Sequence, residues 1–205
     1  PYDLDHVPVI HYLDHERWET AQVPEYHSGI LTSMVFLLRF QTNRARANRF
    51  YNAFLCRPFQ PPVGGLPPAD DESAAEPDLQ KRAGCKFCHS ILEPSAAHWG
   101  RWPEGGAGYV HPEVYPPYRD ECATCAFDNS CDEACNRFYL TRSYTPGVNA
   151  YLGYLKPLVF LRDEHTRNVD VGPKVLVNEN IVTSDVPTCV ARTAAEHALG
   201  RVLEP

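Results

Sequence analysis

The chain has 205 residues, 43% of them hydrophobic, which is enough apolar side chain for one domain or two small ones with a core. Its formal charge of -7 excludes the basic surface that binding along a nucleic-acid backbone requires. No apolar run reaches the roughly 20 residues of a membrane span, since even "YLGYLKPLVFL" is broken by Lys156 and Pro157.

The first residues, "PYDLDHVPVI", show neither an initiator Met nor a basic segment followed by an apolar one, and read as processed or as part of a longer polypeptide. Residues 1–26 mix Pro, His and charge without a period, so an irregular arm is expected. Within it "HYLDHE" sets His11 and His15 at i, i+4, but Tyr12 stands where an H-E-x-x-H site carries its general base, and both read as surface histidines. Residues 30–39, "ILTSMVFLLR", predict a buried helix capped by Thr32 or Ser33. "QTNRARANRFYNAFLC" predicts a second, capped by Thr42 or Asn43, with Ala47, Phe50, Phe54 and Leu55 inward and Arg44, Arg46 and Arg49 on a solvated or docking face. Residues 57–78 are dense in Pro, Gly and acid and predict an extended linker without helix. "LQKRAGCKFCHSILEP" then predicts a short helix stopped by Pro94. A loop rich in Trp and Tyr is expected from 99 to 120, a strand over "KVLVNENIV" (174–182), and a final helix in "VPTCVARTAAEHALGRV" closed by Gly200. There is no internal repeat.

The chemistry concentrates in "CKFCH", residues 85–89. Two thiols at i and i+3 lie on one side of a helical turn, so both reach the two vinyl groups of one porphyrin, and the next residue aims an imidazole at the iron. The motif predicts one covalent haem c on Cys85 and Cys88, with His89 as proximal ligand and the Arg face as a candidate propionate surface. Half of a zinc site, a thioredoxin-like redox pair and an ordinary disulfide are the alternatives. The redox pair wants a strand before a long helix, and no β-α-β pattern surrounds this one. Distal candidates are Met34, the chain's single Met, and His27, His98 and His111, each of which also has an ordinary core or surface role. A Met ligand raises the potential, a second His lowers it, and an open position admits small molecules or peroxide.

The stretch "SGILTSMVFLLRFQTNRARANRFYNAFLCRPFQPP", followed by the Pro-rich linker, "CKFCHSILEP" and "GRW", resembles the single-haem cytochrome-c-like modules of large secreted planctomycete and myxobacterial proteins. The end, "GPKVLVNENIVTSDVPTCVARTAAEHALGR", resembles the small helical module that follows them. Together these cover about two-thirds of the chain. The resemblance implies haem, secretion and a C-terminal place in a longer protein, but no substrate. Leu92, Glu93 and Pro94 stand where the family has M-D-P, and residues 103–150 look like an insertion.

Eight cysteines point to an oxidising compartment, periplasmic or at a bacterial cell surface. Cys122, Cys125, Cys131 and Cys135, spaced C-x2-C-x5-C-x3-C, predict two local disulfides in one of three connectivities, with a zinc or iron–sulfur site as the alternative. Cys56 and Cys189 are then left to pair with each other or to remain buried thiols. Asp128, Asp132 and Glu133 lack the EF-hand spacing and its Gly, and read as a solvated acidic turn.

The expected fold is mainly α: a cytochrome-c-like helical haem module with long Pro/Gly-rich loops, a Cys-rich insertion and a C-terminal helix. Its expected divisions are an arm (1–26), a haem module (27–102), the insertion (103–150) and a small helical module (151–205). The expected function is electron transfer within a larger extracytoplasmic assembly, with other redox subunits as partners and neither nucleic acid nor a transmembrane segment involved. A peroxidase-like haem enzyme with an open distal site and a disulfide-stapled interaction subunit are the alternatives.

Overall fold

A computed structural model describes residues 23–203 except 61, 62, 64, 69 and 144; most of the expected arm, with His11 and His15, lies outside the described residues. Among the described residues the chain is mainly helical, and β pairing is confined to two isolated bridges. Eight α-helices run in order: α1 Met34–Arg39, α2 Asn43–Phe54, α3 Lys86–Ala97, α4 Asp120–Asp128, α5 Glu133–Phe138, α6 Pro146–Asn149, α7 Asp163–Val182 and α8 Asp185–Leu199. Among the described residues no helix is long and apolar enough to cross a membrane.

The helix starts follow the polar residues that precede them. The Ser33 hydroxyl accepts from Phe36 N to open α1, and Thr42 accepts from Ala45 N to open α2, each relieving one of the orphan donors of a first turn. α2 turns Ala47 and Phe50 fully inward, with Leu55 just beyond. Arg46 joins them: it is completely buried, where the basic outer face of α2 was expected to include it. Its guanidinium donates to the carbonyls of Phe40, Leu37, Trp102, Pro103 and Gly106 and to Asn43 Oδ1. A planar fork with five donors can gather carbonyls from several loop segments into one interior point.

α3 packs between α2 and α7, and α8 returns from α7 to close on α2. Two expected boundaries move. Pro94 lies inside α3 rather than ending it. The ring forfeits one N–H to the ladder, yet the helix continues through the buried Ala96 and Ala97, and the Pro94 carbonyl accepts from Asn168 on α7 at 2.8 Å. Residues 174–182, expected as a strand, are the second half of α7. Gly172 (φ 67°, ψ -176°) breaks that helix and Pro173 restarts it with φ already set, so a Val-rich run becomes helical and buries Leu176. The linker also holds a short 3-10 turn at Glu72–Ala75, started by Asp71 accepting from Ser73 N.

The core has two centres. One gathers Leu31, Phe36, Leu37, Phe50 and Leu176 around Trp99 and Trp102. Trp99 is fully buried with its indole N–H on the Leu31 carbonyl (2.9 Å), so these aromatics fill the interior instead of lining an outer surface. The second centre holds Cys122, Cys135, Tyr139, Leu155, Leu158 and Val169. The Cys-rich segment is knit to the residues that follow it. Arg119 N donates to Gly153 O, Leu140 N to Tyr154 O and Leu155 N to Pro117 O, so hydrogen bonds join residues on either side of position 150.

Six cysteines are paired. Cys56–Cys189 ties the end of α2 to α8, and Cys122–Cys135 and Cys125–Cys131 pin α4 to α5 and the turn before it. The four-cysteine cluster is therefore a pair of nested disulfides and not a metal site. Asp128 accepts from Ser130, and Asp132 caps α5 through Cys135 N, so these acids serve local turns. Three disulfides fit a protein exported to an oxidising compartment.

Candidate haem-attachment site

The two cysteines left free are Cys85 and Cys88, both partly accessible. Cys85 is the N-cap of α3, while Cys88 and His89 occupy its first turn. Gly84, at φ +75°, delivers the chain into that helix, and a Cβ there would meet Pro67 Cδ at 2.7 Å and Leu66 Cδ2 at 2.9 Å, so the linker folds back over the motif.

α3 changes character along its length. From Ser95 to Ala97 it is buried, whereas Lys86, Phe87, Ser90 and Ile91 are exposed. Phe87 is 59% exposed and Ile91, one turn on, 46%. Apolar side chains left uncovered beside two reachable thiols form a surface that a flat apolar macrocycle would cover. Cys88 Sγ lies 3.5 Å from the Gln60 carbonyl, and Phe59 packs against Tyr51 with ring centroids 5.1 Å apart, so the linker forms one wall of this region.

His89 has a partner that the motif does not announce. Its Nδ1 lies 2.5 Å from Glu93 Oε1, one turn further along α3, and the same oxygen accepts from Arg44 Nε of α2 at 2.7 Å. The His89 and Glu93 side chains are largely shielded, at 22% and 16% exposure. Against a carboxylate acceptor Nδ1 is the donating nitrogen of the pair, which makes Nε2 the nitrogen that a metal would use. Two addable thiols, one oriented imidazole nitrogen and an uncovered apolar flank fit a covalently held haem.

The four expected distal donors come from separate segments of the chain. Met34 opens α1 and is 43% exposed. His98 caps the C-terminus of α3, roughly 13 Å of helix rise beyond His89, with Nδ1 on the Gly172 carbonyl at 2.8 Å. Burial pushes its imidazole below the usual range, partly opposed by that hydrogen bond. His27 Nδ1 accepts from Gly29 N at 3.1 Å, and exposed His111 stands edge-on to Tyr26 and Tyr109. In His98 and His27 the contact described is made by Nδ1, and in His111 by the ring.

Sequence reasoning passed over two further groups. Glu93 was legible as the i+4 neighbour of His89, a spacing that puts two side chains on one helix face. His165 carried no such signal. It is buried on α7, and neither ring nitrogen has a hydrogen-bond partner among the described residues. Beyond Glu93 and Arg44 opens a cleft of about 530 Å³ also lined by Arg137, Lys156, Glu104 and Phe138. Burial lowers the Lys156 ammonium from its ordinary value.

Among the described residues no group of three or more His, Cys, Asp or Glu side chains is disposed to hold a bare metal ion. No protein-family profile, curated protein or solved structure matches the chain.

Proposed function

We propose that this chain is a c-type haem protein that passes single electrons between redox partners in an extracytoplasmic assembly; its resemblance to secreted cytochrome-c-like modules implies the haem and the secretion. One observation carries the reading. Of eight cysteines, six are spent on disulfides, and the two kept free are those of C-x-x-C-H. In a chain that oxidises its other thiols, a vicinal pair at i, i+3 held out of that network has other chemistry to do.

Cys85 and Cys88 would hold the haem through thioether bonds, each S–H adding to one vinyl group with no net oxidation. His89 Nε2 supplies the proximal nitrogen. The bound haem contributes a one-electron ferrous/ferric couple. Exposed Phe87 and Ile91 would offer the group an apolar flank, and Gln60, whose carbonyl meets Cys88, lies beside the thiols that would hold it.

A pyridine haemochrome assay on the denatured chain, beside oxidised and reduced absorption spectra, tests the proposal. A sharp reduced α-band that stays with the polypeptide after denaturation is expected. A colourless chain, obtained where haem attachment is competent, overturns it. Binding of carbon monoxide or cyanide by the coloured protein assigns it to the enzyme alternative instead.

A further inference from the structure

We infer that Glu93 is a positioning residue that tunes the proximal ligand, drawing the Nδ1 proton of His89 toward itself and so holding the haem iron at a depressed reduction potential. This rests on the haem reading above.

The geometry is specific. Glu93 follows His89 by four residues on α3, and its Oε1 is the atom that meets Nδ1 at 2.5 Å. A neutral carbonyl in that place would accept the same proton more weakly, because a hydrogen bond to an ionised acceptor is shorter and about twice as strong. Electron density returned to the ring reaches the metal through Nε2, which favours the more positive, ferric state. Limited exposure of both side chains keeps water from competing for the proton. Arg44 approaches the same oxygen from α2 and is itself half exposed. It anchors the carboxylate and, as a cation, draws density the opposite way. The relay therefore has a donor of electron density, Glu93, and a moderator, Arg44, from two helices that pack together.

The test is redox titration of the holoprotein and its Glu93→Gln, Glu93→Asp and Arg44→Ala variants. Glu93→Gln keeps the shape and removes the charge, and is expected to shift the ferrous/ferric equilibrium at least tenfold toward ferrous, an upward move of about 59 mV for one electron. Glu93→Asp retains a carboxylate and should recover part of that shift. Arg44→Ala breaks the same ion pair while leaving His89 its acceptor, and should not raise the potential. An upward shift of equal size in Arg44→Ala would show that the lost ion pair, and not the His89 acceptor, is responsible, and would overturn the inference. So would a Glu93→Gln potential unchanged within twofold. Nitrogen-15 NMR of the His89 ring in the full chain without haem reads the hydrogen bond separately, with the proton on Nδ1 expected. A proton on Nε2 would overturn the inference even if haem never binds, whereas absence of haemochrome with the proton on Nδ1 would remove the haem reading and the potential with it, leaving only the His89–Glu93 hydrogen bond.

Discussion

The three disulfides close loops of very different length, and their energetic weights should separate accordingly. Cys56–Cys189 spans 133 residues, Cys122–Cys135 spans 13 and Cys125–Cys131 spans 6. In the chain-entropy description, each bridge stabilises by removing loop freedom from the unfolded state as 2.1 + 1.5R ln n. At 25 °C that is ~5 kcal/mol for the long bridge, ~2.9 for the intermediate one and ~2.2 for the short one. The long bridge alone is comparable to the lower range of total stability for a small protein, ~5 kcal/mol. Paired Ser replacements, removing both sulfurs so that no thiol is orphaned, are to be compared by equilibrium urea unfolding without reductant. Cys122, Cys135 and Cys189 are all nearly fully buried, so the long and intermediate pairs are the matched comparison. Cys56 sits at φ 53° and remains strained as Ser, which keeps that cost out of the difference. The Cys56→Ser/Cys189→Ser variant should lose ~2 kcal/mol more than Cys122→Ser/Cys135→Ser. Equal losses, or the reverse order, would refute the entropic account and place the stabilisation in native contacts.

Three further outcomes follow from named residues. Arg46→Met strips the donor from five backbone carbonyls and should cost more than ~3 kcal/mol in the same assay, whereas Arg44→Met should cost under ~1 kcal/mol; similar losses would contradict the structural role of Arg46. Gly153→Ala meets both a left-handed φ of +84° and a Cβ placed 2.7 Å from Ala123 Cβ, so it should destabilise by ~2–4 kcal/mol, while Gly105→Ala, at φ +69° in open space, should lose only ~1–2, as thermal melts would show. Burial lowers the His165 imidazole below its unfolded value of 6.5, so the unfolded chain binds the extra proton first. Its share of stability is intact above pH 6.5 and falls as pH drops below it, by up to ~1.4 kcal/mol per unit, and His165→Leu should flatten that slope in urea titrations between pH 7 and 5. An unchanged slope would assign the acid sensitivity elsewhere.

Local signals carried far along this chain. Ser33 and Thr42 named their helices because a hydroxyl before an apolar period satisfies first-turn donors, and Gly200 ended α8 in the left-handed conformation that favours glycine. What failed turned on one local break read past and on tertiary partners. Val175, Val177 and Ile181 look like strand residues until Gly172 and Pro173 restart a helix there. Arg46 reads as surface by type and becomes interior because carbonyls from two stretches, 37–40 and 102–106, converge on it. The thiols and imidazole of the candidate site were visible as a motif, whereas Arg44 met Glu93 only because α2 packs on α3.

The Cys56–Cys189 bridge also imposes a schedule. A chain made from its N-terminus presents Cys56, then Cys85 and Cys88, while Cys189 is still to come. At ordinary rates of synthesis the 133 intervening residues take roughly 7–27 seconds, long enough for wrong partners to be sampled. Whatever occupies Cys85 and Cys88 early takes the two nearest competitors out of that search. The last helix then finds Cys56 waiting, and its arrival locks a molecule whose interior has already been sorted.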